Sequence, residues 1–388
     1  MLANQRHEFS LPEGVHYLNC AYMSPLPKRV EAVGIESLRR KAVPSHIAAD
    51  DFFDDGERLR FAFARLVNAD EPRSVAIIPS ASYGLATVAR NTLVGPSHRI
   101  LVVHEQFPSN VYTWRRLCQE TGAEMVTVGP AEPSKPSKER AADWNERLLT
   151  AIDRNTAVVA IPHVHWADGT IFDLETIGTR ARDVGAAFIV DGTQSIGAMP
   201  FDVARIQPDA VVCAGYKWLM GPYSLGTLYV GPRYEDGVPL EENWISRRGS
   251  EDFGGLVNYE DDYQPGALRY DVGERSNFIL VPMLLAGLEM VQQWTPDAIQ
   301  EYCRALTRSM IDPLRSLGYD VQAESGRAAH LFGIRVPARL QIADIQRRLA
   351  ARGVSVSTRG NAIRVAPHVY NDAVDVQALL EVLIESAR

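Results

Sequence analysis

Residues 210–230 read AVVCAGYKWLMGPYSLGTLYV. Two apolar runs, AVVCA and GTLYV, have the length and β-branched content of strands buried on both faces, and the Gly-Pro pair between them marks a turn. Lys217 falls just past the end of the first run, with Trp218 directly behind it. Lysines are mostly solvated wherever they occur. An amine held out of water is different, because its charge is disfavoured and it becomes a nucleophile and a base. Which of these Lys217 is depends on what the remaining chain brings to the same edge.

Runs of the same kind recur upstream: SVAIIP (74–79), RILVVHE (99–105), AEMVTVG (123–129), TAVVAIPHV (156–164) and AAFIVDG (186–192). Helix-period stretches lie between several of them, among them SNVYTWRRLCQETG (109–122) and DLETIGTRARDVG (173–185). This alternation predicts an α/β protein with a mostly parallel seven-stranded sheet covered by helices. Beyond about Arg275 the texture changes to two long amphipathic helices (281–294 and 296–318), followed by HLFGIRVP (330–337), DIQRRLAARG (344–353), VSVSTRGNAIRVAP (354–367) and a last helix from about Asp375. That order predicts a smaller α+β domain at the C-terminal end. The expected organisation is an N-terminal segment 1–20 packing on the small domain, a large domain 21–275 and a small domain 276–388. Residues 249–270, rich in Gly, Asp and Tyr, read as a surface excursion or interface loop, and PAEPSKPSKER (130–140) reads as a polar connection.

The chain has 388 residues, 46% hydrophobic and 23% charged, which is ample for a substantial core and too long for one small domain. A net charge of -8 and the absence of a Lys/Arg cluster argue against a nucleic-acid surface. Cys20, Cys118, Cys213 and Cys303 lie far apart with no CxxC pair, so neither a metal site nor a disulfide framework is expected. The first residues lack the apolar core of a secretion signal, and no run of about 18 apolar residues occurs. A cytoplasmic protein outside the membrane is the expectation.

Ligands of open α/β sheets bind outside the carboxyl ends of the strands. Three predicted strands end there in polar or reactive residues: Asp191 and Gln194 in FIVDGTQS, His163 and His165 in IPHVHWADGT, and Lys217 in VVCAGYK. An amine that forms a Schiff base and a carboxylate that keeps a pyridine nitrogen protonated together constitute the protein side of pyridoxal phosphate chemistry. The 26 residues from Asp191 to Lys217 fit one structural unit. The two histidines, two apart on a strand, share one face and lack further ligands for a metal. No GxGxxG follows the early strands, which disfavours a nicotinamide oxidoreductase.

The segments VDGTQSIGAMPFDV (190–203) and PDAVVCAGYKWLMGPYSLGTLYV (208–230) resemble the signature of class V aminotransferases. These are pyridoxal phosphate enzymes of fold type I, which include cysteine desulfurases, isopenicillin-N-epimerase-like proteins and kynureninase. The resemblance runs from YLNCAYMSPLP at Tyr17 to AIRVAPHVYN at Asn371. It implies the PLP-dependent transferase fold, with Lys217 in Schiff-base linkage to pyridoxal 5'-phosphate, Asp191 on the pyridine nitrogen and Gln194 on the phenolic oxygen. It also implies a phosphate turn in PSASYG (79–84), with the backbone N–H groups of Ala81 and Ser82 and the Ser82 hydroxyl at a helix start. Helix-start amides favour an anion on physical grounds alone. Phe107, in HEQFPSNVYTW, takes the place of the histidine that stacks on the ring in desulfurases, with Asn110 three residues on as a substrate contact. Tyr216 would reach the phosphate, Arg364 would bind the substrate carboxylate, and either Trp166 or His165 would shape the substrate side of the ring.

The match also departs from the family. No cysteine precedes Arg364 in RGVSVSTRGNAIRV, so desulfurase activity is not expected. Glu274 falls where family members carry a threonine that reaches the phosphate across the dimer interface, leaving Ser276 or Asn277 as replacements; a homodimer with its site near the subunit boundary is still implied. The expected function is a transformation of an amino acid of the aminotransferase type, with a 2-oxo acid as a possible second partner. A Cβ-lyase or hydrolase like kynureninase is the alternative, a Cα epimerase comes third, and a binding protein that keeps the fold without catalysis is the remote reading.

Overall fold

The computed structural model describes residues 2–131 and 139–388, so most of the expected polar connection at 130–140 lies outside the described residues. In chain order the N-terminal segment contributes β1 (His16–Tyr17), and the large domain begins with α1 (Lys28–Lys41), α2 (Asp54–Leu66), β2 (Val75–Ile78), α3 (Ala81–Arg90), β3 (Arg99–Val103), α4 (Ser109–Thr121) and β4 (Glu124–Val128). It continues with α5 (Arg140–Ala151), β5 (Thr156–Pro162), α6 (Leu174–Val184), β6 (Ala187–Asp191), α7 (Val203–Ile206), β7 (Ala210–Ala214) and β8 (Gly226–Val230). The remainder is α8 (Leu280–Trp294), α9 (Pro296–Ser316), β9 (Phe332–Arg335), α10 (Ile342–Ala351), β10 (Val354–Ser355), β11 (Ser357–Arg359), β12 (Ala362–Val365) and α11 (Ala373–Ala387).

All seven apolar runs form strands of one sheet, in the order β2-β8-β7-β6-β5-β3-β4. Strand β8 is antiparallel to both neighbours and the other adjoining pairs are parallel. The carboxyl ends of β2, β3, β5, β6 and β7 therefore share one edge. Side-chain alternation splits each strand between two cores. Ile77, Leu101, Val159, Val190 and Val211 pack with α2, α5, α6 and α8 on one face. Ile78, Val102, Ala160, Ile189 and Val212 pack with α3 and α4 on the other. Burial on both sides explains why these strands read as unbroken apolar runs.

The small domain is a three-stranded antiparallel sheet, β11-β12-β9, with α9, α10 and α11 against it. The N-terminal segment is tied to it: β1 pairs in parallel with β10, and His16 Nδ1 lies 2.8 Å from Asp375 Oδ1 at the start of α11. The expected boundary at 276 falls before α8, whose Val281, Leu284 and Leu288 nevertheless join the core of the large sheet. Residues 249–270 contain short 3-10 turns and an isolated bridge from Tyr263 to Arg247, and Val257 and Tyr259 there are exposed. Among the described residues no helix is long and apolar enough to cross a membrane.

Candidate active site

A cavity of about 260 Å³ opens at the shared carboxyl edge, bordered by Ser80, Ser82, Phe107, Trp166, Asp191, Gln194, Tyr216 and Lys217. Five separate strand ends, those of β2, β3, β5, β6 and β7, supply this wall. Pro162 pairs with Asp191, and Asp191 with Val212, so β5, β6 and β7 end side by side.

Lys217 is not the solvated lysine of a strand junction, for it is only 5% exposed. Burial, reinforced by the positive charge of Arg364 and opposed by Asp191, pulls its amine down to about 8. Its Nζ lies 5.6 Å from the centre of the Phe107 ring and 5.5 Å from that of Tyr216. The following loop is seated by close backbone approach: a Cβ on Gly197, which has φ +99°, would meet Trp218 O at 2.4 Å. Only glycine combines that conformation with that contact.

Asp191 is buried, and burial pushes its carboxyl above the usual carboxylate range against the Thr193 hydrogen bonds that pull it down. Its Oδ1 accepts the Thr193 N–H at 3.0 Å, while the Thr193 hydroxyl accepts the Ala214 N–H at 3.3 Å and stitches β6 to β7. A carboxylate placed this way favours a cationic partner. Gln194 is held at both ends of its amide: Oε1 accepts Trp218 Nε1 at 2.9 Å, and Nε2 donates to Ala21 O at 3.1 Å. One Nε2 hydrogen is left over for the cavity.

At the other end of the cavity α3 begins. Ser80 caps it, its Oγ accepting the Tyr83 N–H at 3.2 Å and its carbonyl accepting the Gly84 N–H at 3.3 Å. Ser80 Oγ and Ser82 Oγ are 2.9 Å apart. The first amides of the helix, those of Ala81 and Ser82, have no acceptor within the helix and face an anion-favouring end of the dipole. These donors, Lys217, Asp191 and the spare Gln194 hydrogen fit a phosphorylated pyridine aldehyde: an anion holder, an amine, and partners for a ring nitrogen and a ring oxygen.

Not every expected residue reaches the cavity. Asn110 is fully buried inside the first turn of α4 and does not border the cavity; its Oδ1 accepts Trp114 Nε1 at 2.8 Å, while its Nδ2 has no hydrogen-bond partner. His165 is 1% exposed and is fastened to Asp168 Oδ1 at 3.1 Å and to His104 O at 3.2 Å. Alternation beyond β5 turns Val164 and Trp166 to the cavity and His165 away from it. His163 faces a second, larger groove of about 980 Å³ that holds neither Lys217 nor Asp191. Phe107, 38% exposed, stands at the cavity mouth with its ring edge-on to Trp166 at 5.4 Å. Arg364 is 1% exposed beside the cavity, its Nη1 donating to Trp166 O at 3.0 Å. Near Glu274, which is exposed, Ser276 Oγ donates to Phe52 O and Asn277 Oδ1 caps α8 through Leu280 N at 2.9 Å, so both side chains are used within their own chain.

Sequence reasoning passed over Thr193 and Trp218, which position Asp191 and Gln194, and the segment around Ala21 and Ser24. Ser24 Oγ donates to Tyr216 O at 3.2 Å and so presses the N-terminal segment onto the Lys217 loop. Thr193 was legible in principle, lying between the two singled-out residues of DGTQ.

The sequence profile of the family Aminotransferase class-V matches residues 17–380. An uncharacterized aminotransferase, YcbU of Bacillus subtilis, is 26% identical over 331 residues, covering 84% of this chain and 83% of that protein. Kynureninase of Pseudomonas fluorescens is 29% identical over 323 residues, covering 80% of this chain and 73% of that protein. The crystal structure of the cysteine desulfurase CsdA of Escherichia coli superposes with a TM-score of 0.82 at 20% identity, covering 98% and 97% of the two chains, a likeness of fold. A fold-type I sheet that ends in Lys217 and Asp191, together with a family match over nearly the whole length, places the chain in the class V aminotransferase family, whose cofactor is pyridoxal 5'-phosphate.

Proposed function

We propose that this protein carries out an aminotransferase-type transformation of an amino acid, with Lys217 as the residue that attaches the cofactor and moves the Cα proton. The observation that carries the reading is the buried amine of Lys217, lowered to about 8, in one cavity with the buried carboxylate of Asp191. Bound pyridoxal phosphate supplies an electron sink for the pair left at Cα. The chain's own residues do the rest. The Ala81 and Ser82 amides with the Ser82 hydroxyl hold the phosphate, and Tyr216 borders it. Asp191 keeps a proton at the pyridine nitrogen, Gln194 donates to the ring oxygen, and Phe107 and Trp166 cover the ring with apolar surface. Arg364 takes the substrate carboxylate, which fixes the direction of the Cα–H bond. Lys217, once free, accepts the Cα proton at Nζ; an amine titrating near 8 is matched to that work at physiological pH.

Desulfurase chemistry is disfavoured, since it needs a thiolate at the substrate. All four cysteines are buried, and burial pushes both that feel the charge of Lys217 upward, Cys213 well above the usual thiol range and Cys20 to about 12. Cleavage at Cβ is the second reading, favoured by the phenyl ring of Phe107 and the hydroxyl of Tyr216 at the cavity and by the kynureninase relative. Cα epimerisation, which needs a second acid opposite Lys217, stands third. A homodimer in the cytoplasm fits the reading.

The test is the visible spectrum of purified protein before and after a panel of L-amino acids. The expected result is an absorption band that borohydride fixes onto Lys217, is absent from Lys217→Ala, and responds to an amino acid with release of a 2-oxo acid. Pyruvate or alanine released from a larger side chain would move the assignment to Cβ cleavage, and racemised substrate to epimerisation. A wild-type protein that takes up no pyridoxal phosphate would end the proposal.

A further inference from the structure

The hairpin β11–β12 carries two arginines onto Trp166, a residue of the cavity wall, and only one of them has a role so far. Ser357 pairs with Arg364 and Arg359 with Ala362, so in an antiparallel ladder Arg359 and Arg364 stand on the same face, one diagonal step apart. Both converge on Trp166. Arg364 Nη1 donates to its carbonyl at 3.0 Å, and the Arg359 guanidinium carbon lies 4.9 Å from the centre of its ring. Trp166 in turn borders the cavity and meets Phe107, which packs over the Lys217 amine.

These two cations are held without a counter-anion. Arg359 Nη1 donates to the carbonyl of Thr358 at 2.6 Å, and Arg364 Nη2 approaches Ser357 Oγ at 3.4 Å. Those acceptors are neutral, and the Nε atoms of both arginines are buried without an acceptor. Among the described residues no carboxylate pairs with either. Arg359 also disfavours the charge of its neighbour: Arg364 is drawn down to about 9, by burial first and by Arg359 next, while burial alone lowers Arg359. Buried positive charge without compensation is costly, and two like charges on one face compound the cost. A single carboxylate answers one fork, leaving the second free for another anion.

We infer that Arg359 and Arg364 together select an amino acid whose side chain carries a second anionic group, a carboxylate or sulfinate, with Arg364 on the α-carboxylate and Arg359 on the side-chain anion. This inference rests on the proposed amino-acid chemistry at Lys217 and deepens it. Trp166 lies between the two forks and holds the plane of Arg359 by stacking, which fixes where the second anion is read.

The first experiment measures equilibrium binding of succinate and glutarate against butyrate to the holoenzyme by calorimetry. These acids have no amine and do not engage Lys217. The dicarboxylates are expected to bind at least tenfold more tightly than butyrate, and Arg359→Gln is expected to bring that ratio below about twofold. Arg359→Lys, which keeps the charge and loses the fork, should retain an intermediate ratio and shows that the change is not one of folding. In turnover, L-aspartate, L-glutamate and L-cysteine sulfinate are compared with L-alanine and L-leucine. The ratio of kcat/KM for the preferred anionic amino acid to that for the neutral ones should fall at least tenfold in Arg359→Gln. A wild-type protein that binds butyrate as well as succinate, or a ratio unmoved by Arg359→Gln, overturns the inference. Neither result touches the borohydride-fixed band at Lys217, so failure here is separable from failure of the cofactor assignment.

Discussion

Two arginine pairs of this protein, one fully buried and one with Arg364 buried and Arg359 half-buried, are treated in opposite ways. Arg60 and Arg275 close on one carboxylate: Arg60 Nη1 donates to Asp271 Oδ1 at 3.0 Å, and Arg275 Nε lies 3.0 Å from Asp271 Oδ2. Asp271 also accepts the Ile77 N–H at 2.8 Å, and Arg60 donates to Val75 O, so the pair seals the open edge of β2. Every partner there comes from the chain itself. Arg359 and Arg364 have carbonyls, a hydroxyl and an indole face instead, and they stand beside the cavity. The first arrangement shares a carboxylate of the chain, although Arg275 Nη1 has no hydrogen-bond partner there; the second has no carboxylate among the described residues. The contrast separates charge used to hold a fold from charge kept ready for a substrate.

The comparison can be broken most forcefully at Asp271. Asp271→Ala strands two buried guanidiniums and an edge amide, and is expected to cost about 3–5 kcal/mol of stability. A denaturant midpoint that does not move would place that pair outside the fold's scaffold. The opposite sign is expected at the other pair: Arg364→Ala removes an uncompensated buried charge, so the midpoint should hold or rise while kcat/KM for the amino-acid substrate falls about a hundredfold. Loss of stability in Arg364→Ala equal to that in Asp271→Ala would erase the distinction.

A smaller effect sharpens it. The positive charge of Arg364 is the second cause, after burial, of the low value of Lys217. The protonated amine does not attack an aldehyde, so the rate at which apoprotein takes up pyridoxal phosphate should fall about tenfold per pH unit below 8 and level off above it. In Arg364→Ala the neighbour that disfavours the ammonium is gone, and the inflection should move to higher pH. An inflection that stays in place would mean that burial alone sets the amine.

The sheet was legible because its strands are buried on both faces. Runs such as AVVCA and AAFIVDG carry that requirement locally, and each became a strand whose end meets the cavity. Asn110 and His165 do not border the cavity, for the converse reason. A motif gives proximity along the chain, whereas the helix turn and the strand alternation decide direction: Asn110 turns back to Trp114, and His165 turns to Asp168. Trp218 and Ala21 lay beyond reach because they meet Gln194 across 24 and 173 residues of chain, a closeness that no local pattern records. Arg359 stood in view within STRGNAIRV, but its kinship with Arg364 appears only in the hairpin register.

The N-terminal segment has a temporal consequence. Its Asn19 accepts a hydrogen bond from Ser357 Oγ at 2.8 Å across 338 residues, β1 adds to β10, and Ala21 and Ser24 touch Gln194 and the Lys217 loop. These residues are synthesised well before their partners in the small domain. Contacts of such sequence separation are slow to form and leave the intervening chain to organise alone. The sheet can assemble early, but the N-terminal wall behind Gln194 is tied down only once residues 354–357 have been made.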